Sequence, residues 1–500
     1  MFHIRTTKTS SKATAVQVVR YEYRRLIVVK HIGSAHNEDE LKVLKDSARV
    51  WIKKESKQFE LFPVLKFTES NQFSLSKCQY LGVSYNFIYE CLNQLLSRFD
   101  LMKIKDKMLL DLALIRIIEP ASKLRSFELL EELFGIKYSR LEFYRHLEYF
   151  VGSKNTVIDA VTNIAKNELG FNFSLVFYDV TSLYFEAFGE DELRKPGFSK
   201  DGKSNQPQIL IGLVVNDKGF PIAYEIFEGN KFEGKTIIPV ILAFKQHHQV
   251  KNLTVVADAA MISRDNVTEL KSKRLHYIVG ARLANLPTAT IERVSRELGR
   301  KDGTNLKIRT KLGSLVVSFS LTRYKKDKRE MEKQIVKAES LLKEPGKIKR
   351  AKFLQNTGKS KKPSLKLNET LIKKTKSLLG IKGYYTNLGK VDNQMIIQQY
   401  HDLWHVEHAF RIAKSDLQMR PIHHFKKQTI EAHVLICFIA LSICRYMELK
   451  TNKSIKKIIQ QFKKVTDAKI LNTMTDEITI MRSAIPEETM EIVDKLNLSH

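Results

Sequence analysis

Short apolar runs dominate the middle of the chain, where they predict β-strands. These runs are separated by turn-forming residues and cover residues 174–179, 208–216, 221–228, 253–258 and 276–280. Between the second and third runs, Asn216-Asp-Lys-Gly219 predicts a hairpin turn, so the first three strands should be sequential and antiparallel. Helical patterns follow Lys235 and Ser263, and Ser263 is a predicted helix N-cap.

A helical pattern in residues 394–418 carries two neighbouring stripes. The apolar stripe recurs at spacings of three and four and consists of Leu403, Val406, Phe410, Ala413 and Leu417. The second stripe is rotated by one position and consists of Tyr400, Glu407, Arg411 and Lys414. We expect the apolar face to dock on the sheet while its neighbour presents a carboxylate and two cations. A solvated Glu–Arg pair at i,i+4 spacing is the simpler alternative.

The N-terminal third predicts a ββα unit followed by helices. Two short strands are expected within residues 15–32, and Asn37 should cap a helix that runs to about residue 54. From about residue 80 to 150 the pattern is helical, with a break at Gly135 before a helix that carries Arg140 and Arg145. A helix-turn-helix DNA-binding motif and a purely structural helical hairpin both fit this pattern.

The charge of the chain indicates an anionic partner. It has 84 Lys+Arg against 55 Asp+Glu, a net charge of +29 and a pI near 9.7. Nucleic acid is the favoured counterion, while solubility alone and an anionic membrane surface are the alternatives. Much of the positive charge lies in residues 287–383, which we interpret as an inserted basic domain.

Cysteine usage and hydropathy predict a cytoplasmic protein. Cys78, Cys91, Cys437 and Cys444 form no CxxC pair, which argues against both a disulfide framework and a zinc site. The N-terminus has no apolar signal segment, and the apolar stretch 432–446 is too short to span a bilayer. We therefore expect a cytoplasmic protein without a membrane partner.

Three acidic residues stand in three different local contexts. Asp179 and Asp258 each end an apolar run, and Glu407 lies on the two-striped helix. A carboxylate at the end of a buried strand is costly unless something pairs it. The two strand-end aspartates and the helix glutamate could together hold a pair of Mg²⁺ ions, which cleave phosphodiester bonds. Each aspartate could instead cap a local turn.

The motifs around these acids resemble the DDE transposases of bacterial insertion sequences, in the IS-four group. The resemblance covers most of the chain and rests on Tyr178-Asp179-Val-Thr-Ser, the segment Gly197 to Gln208, Ala257-Asp258, and Tyr400-x2-Leu403-x3-Glu407-x6-Lys414. The group has Arg where this chain has Leu403, so the role of that Arg is either missing here or supplied by Arg411.

The resemblance implies a ribonuclease H-like α/β core with a mixed five-stranded sheet, an inserted β-containing basic domain and an N-terminal α+β and helical DNA-binding region. The corresponding domains are 1–79 (ββα module), 80–170 (helix-turn-helix-like), 171–286 with 384–447 (catalytic core), 287–383 (insertion) and 448–500 (helical tail).

The resemblance also implies a function. Asp179, Asp258 and Glu407 would be catalytic and would hold two Mg²⁺ ions, for which Mn²⁺ should substitute. The predicted DNA-binding residues are Tyr400, Arg411, Lys414, Lys200, Lys203, Arg140 and Arg145. The enzyme would cut double-stranded DNA at the terminal inverted repeats of its element and join the 3′-OH ends to target DNA as a homodimer. The alternatives are a nuclease or resolvase with the same core and an inactive DNA-binding protein.

Overall fold

The computed structural model describes residues 2–10, 12–23, 25–55, 78–186, 189–198, 202, 205–261, 263–343, 351–356, 365–473 and 476–499. These residues form two compact units. The smaller unit comprises Met1–Leu92, Glu128–Lys137 and Ile458–His500, and the larger unit comprises Asn93–Phe127 and Tyr138–Lys457.

The strands are β1 Phe2–Lys8, β2 Thr14–Glu22, β3 Arg25–Ala35, β4 Cys78–Ser84, β5 Leu175–Tyr184, β6 Lys195–Pro196, β7 Pro207–Val215, β8 Pro221–Glu228, β9 Thr254–Ala257, β10 His276–Gly280, β11 Asn305–Thr310, β12 Gly313–Phe319, β13 Leu354–Asn356, β14 Leu365–Leu367, β15 Ile381–Thr386, β16 Asp467–Asn472 and β17 Glu477–Arg482.

The helices are α1 Glu38–Glu55, α2 Asn86–Arg98, α3 Lys107–Ile118, α4 Lys123–Phe134, α5 Arg140–Gly152, α6 Lys154–Leu169, α7 Ile237–His247, α8 Arg264–Ser272, α9 Thr288–Glu297, α10 Leu321–Lys343, α11 Glu369–Ser377, α12 Asn393–His401, α13 Trp404–Arg411, α14 Lys427–Thr451, α15 Ile455–Phe462 and α16 Glu487–Lys495.

The smaller unit contains two three-stranded sheets. β1, β2 and β3 form one antiparallel sheet, and α1 packs on it through a core that includes Val16, Val18 and Leu44. The side chain of Asn37 caps α1 by accepting a hydrogen bond from the Glu40 amide at 2.8 Å. The predicted ββα module is therefore confirmed with one additional strand, β1. Two of the residues facing inward from β1 are Phe2 and Ile4, a pattern too short to be recognised alone.

The second sheet of the smaller unit corrects the prediction of a wholly helical C-terminal tail. β16 and β17 form an antiparallel pair within residues 448–500, and β16 also pairs with β4. β16 and β17 each have only six residues, in which polar and apolar positions are mixed. Local sequence therefore predicts them poorly, and β16 is paired with β4, almost 400 positions earlier in the chain.

The larger unit is built on a nine-stranded sheet of the described residues. Its order is β11-β12-β15-β10-β9-β5-β7-β6. The ninth strand, β8, also pairs with β7, along Ile209 to Val215. The pairs β5–β9 and β9–β10 are parallel, whereas the other pairs are antiparallel. Helices pack on this sheet, so the predicted mixed α/β fold is confirmed, with nine strands in place of five.

The predicted hairpin turn between β7 and β8 is confirmed in detail. The side-chain oxygen of Asn216 accepts hydrogen bonds from the amides of Lys218 and Phe220 at 3.0 and 2.8 Å. Gly219 adopts φ +73°, a left-handed conformation that side chains disfavour. This turn reverses the chain, so β7 and β8 are antiparallel. Since β5 also pairs antiparallel with β7, the three predicted strands are antiparallel as expected.

The charged segment 287–383 differs from the prediction of a separate domain. β11 and β12 join the main sheet through β15, since Leu315 pairs with Tyr385. The rest of the segment contributes α10, α11 and the small β13–β14 sheet around a cluster of Met331, Ala338, Phe353 and Leu379. The segment contains strands as predicted, but its first two strands extend the sheet that carries the acids.

The apolar C-terminal helix is buried in the larger unit. Among the described residues, α14 is the one helix long and apolar enough to cross a membrane. Of its most apolar 18-residue stretch, 94% is buried inside the protein. The helix packs on α3, α5 and β8. The prediction that the apolar stretch 432–446 is too short to span a bilayer is wrong on length, because the helix extends over 25 residues, Lys427–Thr451. Its burial is what we expect of a core helix.

Candidate active site

The register of two parallel strands brings the two predicted aspartates together. β5 pairs with β9 so that Tyr178 lies opposite Ala257, and Asp179 and Asp258 are the next residues along. Neighbouring strands lie about 4.8 Å apart. The two carboxylates, 79 positions apart in the chain, therefore start from adjacent positions at one edge of the parallel part of the sheet.

The two aspartates have different backbone settings. Asp258 is exposed and follows the last residue of β9, as predicted, and a 3₁₀ turn begins at Ala259. Asp179 is half-buried and lies inside β5, which continues to Tyr184 paired with β7. The alternative that Asp179 caps a turn is therefore wrong, because residues 180–183 are strand.

Tyr400 connects the predicted catalytic helix to Asp258. Its hydroxyl donates a hydrogen bond to Asp258 Oδ1 at 3.0 Å, although the two residues are 142 positions apart. The ring is 6% exposed. The hydroxyl of Tyr400 thus bonds to a candidate metal ligand, and the contact of Tyr400 with DNA stays a prediction.

Gly280 makes room for this hydrogen bond. A Cβ atom at position 280 would lie 2.4 Å from the Tyr400 hydroxyl and 3.1 Å from Ala259. The close approach of α12 to β10 therefore requires glycine at the end of β10.

The helix that carries Glu407 is interrupted, although a continuous helix was predicted over 394–418. α12 ends at His401, and α13 begins at Trp404. At this break the amide of Leu403 donates to the Tyr400 carbonyl and the amide of Val406 to the Leu403 carbonyl, so both bonds span three residues where an α-helix spans four. α12 packs over β9, β10 and β15, whereas α13 packs over β5 and β7. The break thus lets one segment pass across the sheet above both aspartates.

The two stripes predicted on this segment are confirmed in their burial. Leu403, Val406, Phe410, Ala413 and Leu417 are all buried. Glu407 and Arg411 are exposed, and Lys414 is half-buried inside a π-helical turn, Ile412–Asp416. Leu403 packs in the apolar stripe, so this position has no outward face from which an Arg could reach DNA without repacking.

Electrostatic effects indicate that Asp258 and Glu407 act on a common space. Burial raises the pKa of the Tyr400 hydroxyl far above its usual value, and the negative charge of Asp258, the hydrogen bond to Asp258 and the negative charge of Glu407 raise it further. Tyr400 is therefore a neutral hydrogen-bond donor at physiological pH, which is the form that can support a carboxylate.

Lys382 is a site residue that sequence analysis missed. Its ammonium group lies 4.6 Å from the centre of the Tyr400 ring and 5.8 Å from that of Tyr384. Burial and the charge of Arg323 lower the pKa of Lys382, whereas the charges of Asp258 and Glu407 raise it. A cation on β15 is thus held on two aromatic faces beside the acids. No local signal marked it, because Lys382 is one of many lysines in the charged segment 287–383.

Two of the remaining predicted DNA-binding residues lie on α5. Arg140 and Arg145 are exposed on α5, and the Arg140 guanidinium lies over the Tyr144 ring at 5.7 Å. The opposite face of α5 is buried through Phe143, Leu147 and Phe150. Lys200 and Lys203 lie outside the described residues.

The donor set of the site fits a hard divalent cation. Asp179, Asp258 and Glu407 supply carboxylate oxygens, the ligands preferred by Mg²⁺, and two of the three are exposed to solvent.

Comparison with known proteins agrees with this arrangement. Residues 172–443 match the family described as Transposase DDE domain. The chain is 29% identical over 127 residues to the transposase for insertion sequence element IS231E of Bacillus thuringiensis subsp. finitimus. That match covers 25% of this chain and 26% of the relative. A cryo-EM structure of a piggyBac transposase synaptic complex with hairpin DNA matches with a TM-score of 0.35 and 10% identity over 62% of this chain and 55% of that one, a similarity too low to support an argument. Since the family match covers more than half of the chain and contains all three acids, the protein belongs to the DDE transposases.

Proposed function

We propose that the protein is an insertion-sequence transposase that cuts DNA at the terminal inverted repeats of its element and joins the resulting 3′-OH ends to target DNA. The adjacent placement of Asp179 and Asp258, with Tyr400 connecting Asp258 to the Glu407 segment, is the observation that carries this proposal. The family match and the net charge of +29 support it.

The three acids would hold the divalent cations of the reaction. Bound Mg²⁺ would activate the attacking hydroxyl or water and stabilise the leaving 3′-oxygen. Asp258 would be oriented for this task by its hydrogen bond from the Tyr400 hydroxyl, and Gly280 leaves the space that this hydroxyl occupies. The core would correspond to a ribonuclease H-like fold, in which strands present the acids from one edge of the sheet.

The cations around the acids would position the DNA strand. Arg411 is exposed on the same segment as Glu407, and Lys382 projects towards the acids from β15. A guanidinium fork and an ammonium point charge both bind phosphate oxygens. Lys414 would hold a phosphate beside the scissile bond together with Arg411, and Tyr400, Lys200, Lys203, Arg140 and Arg145 remain predicted contacts to DNA.

Pairing of two element ends within one complex would require a second copy of the chain. A homodimer on double-stranded DNA is therefore part of the proposal, as is action in the cytoplasm next to the bacterial chromosome.

The decisive experiment separates cutting from joining. Purified protein is incubated with Mg²⁺ or Mn²⁺, a labelled duplex containing the DNA that flanks its own gene, and a second target duplex. Asp258→Asn and Glu407→Gln are compared with Glu292→Gln, which changes an exposed glutamate on α9. We expect the wild type and Glu292→Gln to cut at discrete ends and join them, whereas the two site variants bind DNA without cutting.

Each other outcome rejects a stated part of the proposal. Cutting without joining by the wild type would indicate a nuclease or resolvase. Binding without cutting in either metal would indicate an inactive DNA-binding protein. Cutting by Glu407→Gln at the wild-type rate would remove Glu407 from the site.

A further inference from the structure

A second group of potential metal ligands lies away from the acids, between α6 and the end of α7. One oxygen of Asp159 and one ring nitrogen from each of His247 and His248 lie within 4.8 Å of one another. Among the described residues, this is the one such group of three ligand side chains. His247 Nε2 and Asp159 Oδ1 are already 2.6 Å apart.

The ring of His248 is held in place without a hydrogen bond on one of its nitrogens. It packs against Phe244 and Phe173, with ring centroids 4.6 and 5.4 Å apart. Within the described part of the chain, its Nε2 atom is shielded from solvent and has no hydrogen-bond partner. A buried polar atom without a partner is costly, and metal coordination by the imidazole is one way to recover that cost.

Access and electrostatics also favour a cation. The side chains of Asp159 and His247 are 51% and 39% exposed, so an ion can enter from solvent. His247 is the last residue of α7, and a positive charge near the C-terminus of a helix is stabilised by the helix dipole.

We propose that Asp159, His247 and His248 form a binding site for a Zn²⁺-type divalent ion. Two imidazoles and one carboxylate suit Zn²⁺, whereas Mg²⁺ prefers oxygen ligands alone, so this site would select a different ion from the acid triad. Water would complete the tetrahedral set. The bound ion would join α6 to α7, two helices whose ligands stand 88 positions apart in the chain, and would stabilise this side of the larger unit.

The test uses the full-length protein after treatment with a chelator. Zn²⁺ binding is followed by calorimetry, the unfolding temperature is measured with and without Zn²⁺, and Co²⁺ is added to detect the visible absorption of a tetrahedral site. Asp159→Asn and the double variant His247→Gln/His248→Gln test the site. His423→Gln/His424→Gln is the matched control, because it removes the other adjacent pair of histidines in the chain.

We expect the wild type and the control to bind one Zn²⁺ per chain, to unfold at a higher temperature with Zn²⁺, and to give the Co²⁺ absorption. Asp159→Asn should bind at least 10-fold more weakly, and the double variant should lose both effects. The exposed Asp159 can be changed without disturbing the core, so equal unfolding temperatures of wild type and Asp159→Asn without metal would exclude a folding defect. The proposal is overturned if wild type and double variant bind equally, or if Zn²⁺ leaves the unfolding temperature of the wild type unchanged.

Discussion

At the scale of single residues, the candidate site depends on a few side chains whose roles follow from their neighbours. Tyr400 is buried and donates to Asp258, and Lys382 rests on the Tyr400 ring. Tyr384 and Tyr400 have ring centroids 4.7 Å apart, but the Tyr384 hydroxyl lies 3.4 Å from His401 Nε2. This difference in hydrogen-bond partner makes the two tyrosines a matched pair for substitution.

Replacing Tyr400 by Phe should reduce DNA cleavage and lower stability by no more than the loss of one hydrogen bond. The ring and its packing remain, but Asp258 loses a hydrogen bond to a charged acceptor, a contribution of about 1.5–3 kcal/mol. We expect a loss of about 10-fold or more in the cleavage rate at limiting Mg²⁺. Tyr384→Phe is the control and should cut at close to the wild-type rate. Equal rates for Tyr400→Phe and wild type would show that the hydrogen bond has no part in catalysis.

Replacing Lys382 by Met should weaken the productive binding of DNA. Methionine preserves an apolar stem against Tyr400, so the change removes mainly the charge beside Asp258 and Glu407. We expect Lys382→Met to cut more slowly and with a weaker dependence on salt, and Lys382→Arg to recover part of the cleavage rate. The control, Lys271→Met at an exposed position of α8, should cut at the wild-type rate. Single-turnover rates at several salt concentrations measure this. Wild-type rates in Lys382→Met would assign Lys382 a structural role alone.

At the scale of elements, the break between α12 and α13 matters most. Sequence periodicity predicted one helix, because both of its stripes continue through residues 402 and 403. In the structure α12 covers β9 and β10 while α13 covers β5 and β7, and Trp404 is left 53% exposed at the start of α13. The two segments dock on different strands of the sheet, which local spacing does not encode.

Restoring the Arg of the related group at position 403 should damage this protein. Leu403 is 6% exposed, and a buried unpaired charge costs several kcal/mol. We expect Leu403→Arg to lower the free energy of unfolding by about 2–4 kcal/mol and to lower cleavage. Trp404→Arg, at the exposed neighbouring position, should leave stability within about 0.5 kcal/mol. Denaturant unfolding measures both, and a more active, equally stable Leu403→Arg would contradict the packing argument.

The contact between β10 and α12 offers a second test. Gly280→Ala would place a methyl group 2.4 Å from the Tyr400 hydroxyl, so we expect it to lower both stability and cleavage. Adding Tyr400→Phe removes the clashing atom and should restore part of the stability but none of the lost cleavage. Gly152→Ala is the control, since nothing lies within 4 Å of the position that its Cβ atom would take and its φ is not positive. Thermal unfolding of the wild type, Gly280→Ala, Tyr400→Phe and the double variant, with Gly152→Ala as the control, tests whether the two sites are coupled.

At the scale of the whole molecule, buried histidines should set the acid limit of stability. Burial lowers the pKa of His424 to about 3, and the charges of Lys123, Arg116 and His423 add to this effect. Burial also lowers the pKa of His433, whose ring lies 5.4 Å from that of His424. Both rings are therefore neutral in the folded protein, next to a cluster of cations.

This arrangement predicts the direction of the pH dependence. The unfolded chain takes up protons near pH 6.5 and the folded protein does not, so stability is full above about 6.5 and falls as the pH decreases towards 3. We expect His424→Gln to be less sensitive than the wild type between pH 7.5 and 5, as measured by urea unfolding. Equal slopes for the two proteins would show that the pKa of His424 does not differ between the folded and unfolded states.

The sequence by itself determined what depends on a few neighbouring residues. The Asn216 turn, the Ser263 cap of α8, the position of Asp258 after β9 and the buried stripe ending at Leu417 were all predicted, because hydrogen bonds to the nearest amides and the burial of periodic apolar side chains act over short stretches.

The tertiary structure decided which distant residues meet. The parallel register of β5 and β9 sets Asp179 beside Asp258, the docking of α12 brings Tyr400 to Asp258, and β15 delivers Lys382. Sheet order places the strands of the charged segment in the core sheet, and helix packing joins Asp159 to His247. These outcomes depend on strand pairing and packing between segments about 80 to 140 positions apart, for which local propensity and periodicity carry no information.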